Sequence, residues 1–245
     1  MLDPKRLLDQ FLGAGQTGGP GDVSGAPGGG GPIAGGLGRH IGGFGGGAVV
    51  GGLAGLLLGS KQGRKLGGSA LKLGGMAVLG GLAYKAYRDW QDGKQPQTAE
   101  VGSRTSTTML PPPRDTPFNP TGEAEQQALG RHLLRAMIAA AKADGHIDAT
   151  EQASIFARMD ALPLAADDKA FVVDELRAPL DVDAVAGSAR SPEEAAEIYA
   201  ASLLAIDVDN AAERGYLAML AARLKLDEAL VQHLHANVAA ATQKA

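Results

Sequence analysis

Apolar residues are spaced along this chain in two different ways. From residue 123 onward they recur at helical intervals. Leu134, Met137, Ile138 and Ala141 share one side of a predicted helix, with Arg131, Arg135 and Lys142 opposite. A second helix is predicted to start at Asp148-Ala149-Thr150-Glu151, a D-x-x-E arrangement that resembles a capping box, with Ile155, Phe156 and Met159 facing inward. Helical turns are expected at 166–178 and 181–187. Ser191-Pro192-Glu193-Glu194 is a strong start signal, because serine can cap, proline suits the first position and glutamate the third. The helix it opens is expected to bury Tyr199, Ser202, Leu203 and Ile206. Two more carry Leu217, Leu220, Ala221 and Leu224, then Leu230, Val231, Leu234 and Val238. No stretch alternates with the period of a strand. The fold class is therefore all-α, and residues 123–245 should form a compact bundle of about six or seven helices.

The first half is patterned otherwise. Met1–Leu12 is a short charged amphipathic stretch, and residues up to 40 are too rich in Gly, Pro and Ala to bury a core, so 1–40 reads as a disordered N-terminus. Ile41 to Ser60 is twenty residues without a charge. A helix of that length spans about 30 Å, the thickness of a bilayer's hydrocarbon core. Within it Gly43, Gly47, Gly51, Gly55 and Gly59 recur every fourth residue. That spacing makes a smooth stripe against which another backbone can pack. A basic turn at Lys61, Arg64 and Lys65 follows, then a second apolar stretch from Leu66 to Tyr84, interrupted by Lys72. Tyr84, Tyr87 and Trp90, beside Lys85 and Arg88, resemble the aromatic belt of a membrane interface. Residues 41–90 are thus expected to be a glycine-zipper anchor in a lipid bilayer, either a helical hairpin or one span with an interfacial helix. Residues 91–122, with their Ser/Thr cluster and Pro111-Pro112-Pro113, read as an extended linker without a core.

Composition sharpens this division. Of the 36 glycines, 31 precede residue 103. Residues 1–122 carry 12 Lys/Arg against 7 Asp/Glu, whereas residues 123–245 carry 11 against 20. The overall charge of −4 hides a basic half of net +5 and an acidic half of net −9. Such a split suits an anchor against an anionic surface and a head in water, and the acidic half disfavours nucleic acid as a partner. There are no cysteines, which removes disulfides and thiolate chemistry.

Two acidic junctions stand out in the helical half. Residues 141–151 read Ala-Lys-Ala-Asp-Gly-His-Ile-Asp-Ala-Thr-Glu, and residues 205–214 read Ala-Ile-Asp-Val-Asp-Asn-Ala-Ala-Glu-Arg. Each joins two predicted helices, which suggests a divergent internal duplication. The A-x-A-D-G-x-I-x-x-x-E run and the later D-x-D-x-x-x-E-R-x-Y-L segment resemble the tellurite-resistance TerB-like helical domain. The glycine-rich apolar half coupled to it is similar to the YebE-like inner-membrane proteins, domain-of-unknown-function family 533. The resemblance covers roughly residues 41–90 and 125–241. It implies an all-α fold, a bacterial inner-membrane location, and a sensor or scaffold role with a divalent cation as candidate ligand. Carried over residue by residue, that metal proposal falls on Asp144, Asp148, Glu151, Asp207, Asp209 and Glu213.

The same carboxylates have a second explanation. Asp148 and Asp209 suit helix N-caps, Glu151 suits the reciprocal position, and acidic first turns favour the helix dipole. A hard cation needs six to eight oxygens, more than one junction supplies. Enzyme signatures are missing: Gly13-Ala14-Gly15-Gln16-Thr17-Gly18 matches G-x-G-x-x-G only by glycine abundance, and no catalytic motif accompanies it. His233 and His235, two apart, point to different helix faces. The expectation is a non-enzymatic, membrane-anchored interaction or stress-sensor module that binds a protein partner. The alternative is a membrane-structural protein that homo-oligomerises through its glycine stripe.

Overall fold

The computed structural model describes residues 75–96, 112–145, 166–206, 208 and 210–243. They form seven helices: α1 (Gly75–Gln91), α2 (Glu123–Ala141), α3 (Ala166–Arg177), α4 (Val182–Ala186), α5 (Pro192–Ala205), α6 (Ala211–Arg223) and α7 (Glu228–Gln243). Among the described residues the only β-type pairing is an isolated bridge, Thr116 to Asn119. The all-helical reading of the C-terminal half holds, with six helices between 123 and 243. The second predicted helix, with Ile155, Phe156 and Met159, lies outside the described residues, as do Gly43, Gly47, Gly51, Gly55 and Gly59.

Local chemistry sets the helix starts. Ser191 accepts the Glu194 N–H at 3.2 Å, with Pro192 at the first position, as its sequence indicates. Asp181 caps α4 by accepting the Ala184 N–H at 2.9 Å. Lys142, at the end of α2, donates to the Glu175 carbonyl at 3.0 Å and to that of Ala178, closing the C-terminal end of α3. Lysine there satisfies carbonyls that the helix leaves unpaired. Beside it Arg135 bonds Glu175 through Nε at 2.7 Å, so α3 is held to α2 by two cations.

The core is organised around α5. Every residue from Glu194 to Ala205 is buried, the signature of a helix with protein on all sides. It packs against α1, α2, α4, α6 and α7. Alanines 195, 196, 200, 201 and 205 on α5, and 136 and 139–141 on α2, are all buried. Such small side chains let helix backbones approach. The predicted core positions Leu134, Met137, Ile138, Leu203, Ile206, Leu217, Leu220, Leu230 and Leu234 are inside, while Ala221 and Val231 are half-buried at its margin.

The N-terminal boundary differs from the sequence expectation. Leu66–Tyr84 was assigned to the membrane segment, yet its described part is a wall of the bundle. Val78, Leu79, Leu82, Ala83 and Ala86 are buried, and α1 packs against α5 and α7. An apolar stripe can be buried by lipid or by protein, and here α5 and α7 supply the cover. The opposite side of α1 carries charge: Lys85 pairs with Asp89 at 2.7 Å, and Lys94 reaches Asp89 and Asp92 at 2.9 Å. The expected aromatic belt is corrected with it. Tyr84, Tyr87 and Trp90 pack onto the core, Tyr84 and Tyr87 each with a ring centroid 5.6 Å from that of Phe118. Among the described residues no helix is long and apolar enough to cross a membrane.

The expected linker also changes character near its end. Residues 112–121 form a small hydrogen-bonded strap. Asp115 N–H donates to the Asn119 carbonyl at 3.1 Å, and Asn119 N–H to the Thr116 carbonyl at 2.8 Å. Asn119 Nδ2 donates to the Pro112 carbonyl at 3.2 Å, and Thr116 Oγ1 to that of Pro113 at 2.8 Å. Phe118 is buried at its centre. The strap can lie this close to α1 only because residue 80 is glycine. A Cβ there would stand 2.5 Å from the Phe118 carbonyl oxygen, 3.2 Å from Glu197 Oε1 and 3.3 Å from Pro112 Cγ. Gly80→Ala should therefore lower unfolding stability by about 1–3 kcal/mol, the range for overpacking, in urea titrations of the full chain. An unchanged midpoint would show that the strap does not bear on α1.

Candidate functional site

The six carboxylates drawn from the acidic junctions divide sharply. Asp148, Glu151, Asp207 and Asp209 lie outside the described residues. Asp144 is exposed just beyond α2, ahead of Gly145, whose φ of +101° turns the chain. Glu213 is 3 % exposed at the third position of α6. There it completes a capping box: Asn210 accepts the Glu213 N–H at 2.8 Å, and Asn210 N–H faces Glu213 Oε2 at 3.5 Å. The cap of α6 is thus Asn210, one residue after the expected Asp209. Among the described residues no group of three or more His, Asp or Glu side chains is placed to hold a metal.

A different polar cluster emerges on α5, where the sequence pattern marked only helix and core. Glu194 sits 2.6 Å from His132 Nδ1 of α2 and accepts the Arg190 N–H at 2.9 Å. Burial alone would raise its pKa. The His132 and Arg190 contacts outweigh that effect, and the carboxyl is held below its ordinary 4.5. One helical turn on, Glu197 is 1 % exposed, and among the described residues neither carboxylate oxygen has a hydrogen-bond partner. Desolvation, reinforced by the charge of Glu194, pushes its pKa well above 4.5. Two carboxyls three residues apart therefore carry opposite perturbations.

The cluster continues down the helix. Tyr199 Oη lies 2.9 Å from His235 Nε2 of α7, and burial pushes the tyrosine up to about 12 while lowering the histidine. Ser202 Oγ donates to the Ala136 carbonyl of α2 at 3.3 Å. Tyr216 of α6 brings its hydroxyl close to Ser202 without completing a well-formed hydrogen bond, and burial raises it to about 12. His233 is buried on another face of α7, 3.0 Å from the Lys94 carbonyl. The two histidines do point apart, and each ties α7 to a different neighbour.

Chemically, this arrangement suits holding helices in register and storing a proton. Glu197 itself does not face solvent, because both its oxygens are sealed. The spacing of Glu194 and Glu197 was visible in the sequence as E-x-x-E on an apolar helix. What turned it into a site was the burial of every surrounding position.

Fold and cluster together define, among the described residues, an all-helical bundle whose central helix carries the buried pair Glu194 and Glu197. The chain belongs to the family described as "Protein of unknown function (DUF533)", whose model matches residues 43–238. It is 35 % identical over 98 residues to "Uncharacterized protein in ampR 5'region" of Yersinia enterocolitica, a match covering 40 % of this chain and 70 % of that protein. No solved structure matches.

The Glu194 contacts have a definite pH signature. A carboxyl lowered by folding stabilises above its unfolded pKa and loses that effect as pH falls through its folded value. Glu194→Gln should cost about 1–3 kcal/mol at pH 7, as for a hydrogen bond to a charged group. The deficit should shrink as pH drops below 4.5. A deficit unchanged at low pH would mean that charge plays no part.

Proposed function

We propose that this protein is a membrane-tethered, non-enzymatic interaction module of a bacterial inner membrane. The supporting observation is the uncharged run Ile41–Ser60, followed by Lys61, Arg64 and Lys65 and leading by residue 75 into a helix of the bundle. Basic residues flanking an apolar span are attracted to anionic headgroups, while the net −9 of residues 123–245 is repelled by them. The head would then stand off the surface, free to meet a protein partner. The inclusion of α1 in the bundle shortens the tether, since residues 91–122 connect two helices of the same head.

The glycine spacing favours a second reading, in which Gly43, Gly47, Gly51, Gly55 and Gly59 drive self-association of the anchor. One fractionation experiment addresses both. Full-length protein should pellet with membranes at high salt and need detergent for release, whereas a chain lacking residues 41–60 should stay in the supernatant. A soluble full-length protein would end the tethered reading. If self-association is the main role, Gly51→Leu with Gly55→Leu should abolish crosslinked oligomers while leaving the protein in the membrane.

A TerB-like character for the bundle would add a divalent cation at the acidic junctions, using Asp144, Asp148, Glu151, Asp207, Asp209 and Glu213. Titrating the detergent-solubilised full chain with Ca²⁺ should then release heat and raise its melting temperature. Neither effect with Ca²⁺, Mg²⁺ or Zn²⁺ would remove the cation from the proposal.

A further inference from the structure

Three groups from different elements converge beside the Gly80 Cα: the Phe118 carbonyl and Pro112 ring of the strap, and Glu197 Oε1 of α5. We propose that Glu197 is an ionisable latch beneath the 112–119 strap: neutral, it lets the strap close on α1; ionised, it draws in water and the strap lifts. A buried carboxylate without partners is among the costliest groups a core can hold, and hydration is the cheapest relief.

The surroundings offer no other relief. Among the described residues, the titratable groups that meet α5 are Tyr87 from α1, near Glu193, His132 from α2, Tyr216 on α6 and His235 from α7. None bonds the Glu197 oxygens. His132 is engaged with Glu194, His235 with Tyr199, and Asp183 with Arg223 at 3.0 Å. The charge that acts on Glu197 is that of Glu194, which repels it. Among the described residues no hydrogen-bonding cation reaches the Glu197 oxygens.

Of the segments that meet Glu197 beside Gly80, the strap is the one suited to move. Its hydrogen bonds among the described residues are mostly internal, and from a helix side chain Gln126 Nε2 donates to the Pro120 carbonyl at 2.6 Å. Its hold on α1 rests on Phe118 and Pro112, whereas α1, α2 and α7 are each anchored by several buried side chains. Weakly anchored, non-helical segments open first. The sign follows from linkage. A carboxyl whose pKa folding raises gives its full stabilising effect below the unfolded value and loses it as pH climbs through the folded one. The strap is therefore closed in acid and opens on the alkaline side. The latch does not depend on membrane tethering.

Trypsin reads the strap directly, because Arg114 is exposed within it. The full-length protein and Glu197→Gln would be digested in parallel from pH 6 to 9, with cleavage after Arg114 followed by mass spectrometry. Taking the ratio of the two rates cancels the protease's own pH profile. That ratio should climb by about tenfold per pH unit while the carboxyl is ionised in the open form and still neutral in the closed one, and level off above that, as one-proton linkage requires. A flat ratio overturns the latch. Gly80→Ala, which displaces the strap sterically, should be cut quickly at every pH, and slow cleavage there would also overturn it. Should Glu197→Gln fail to give a helical circular dichroism spectrum, Glu197→Met supplies the non-ionising side chain for the same ratio.

Discussion

Burying a whole helix constrains everything around it. Once α5 is covered on all sides, every polar group on it must be bonded, neutralised or left at a cost, because water cannot reach it. The neighbouring helices supply most of the partners: His132 from α2 for Glu194, the Ala136 carbonyl for Ser202, His235 from α7 for Tyr199. These bonds fix rotation and register where alanine packing alone would allow sliding, since alanine methyls offer little interlocking shape. Glu197 is the place where the demand is not met.

Including α1 in the bundle changes how the halves of the chain relate. A long flexible linker between anchor and head would let the head roam. Here α1 is itself a wall of the bundle, and the turn just after it is tied to α7 through the Lys94 carbonyl and His233. Whatever holds the residues before α1 therefore also orients the bundle. The buried cluster on α5 and the wall formed by α1 are thereby parts of one packed body.

The helical fold of the C-terminal half was legible because its cues are local. Ser191-Pro192-Glu193-Glu194 contains its own cap, and Leu217 and Leu220 name their helix face by spacing alone. The role of α1 was not legible, because Val78, Leu79 and Leu82 look the same whether lipid or α5 will cover them. Phe118 posed the same difficulty: one aromatic among prolines and polar residues carries no periodicity, and its partners Tyr84 and Tyr87 lie some thirty positions earlier. Non-local contacts of that kind are outside any windowed pattern. The buried cluster was missed for a related reason. Glu193 and Glu194 read as favourable first-turn acids, Glu197 carries no signal of its own, and only tertiary cover makes it a burden.

The second acidic junction shows how structural and ligand demands compete for one side chain. Glu213 serves the Asn210 backbone in a reciprocal box while itself buried. A cation at that junction would have to share the carboxylate with the helix start or take it over. Sharing is feasible for an oxygen with two lone pairs, whereas takeover would expose the first turn of α6 and cost about 1 kcal/mol in capping. Asp144 of the first junction lies exposed beyond the end of α2. The described acids of the two junctions thus differ in setting: Glu213 is buried within a helix start, whereas Asp144 stands at the surface, where a ligand could approach without dismantling a cap.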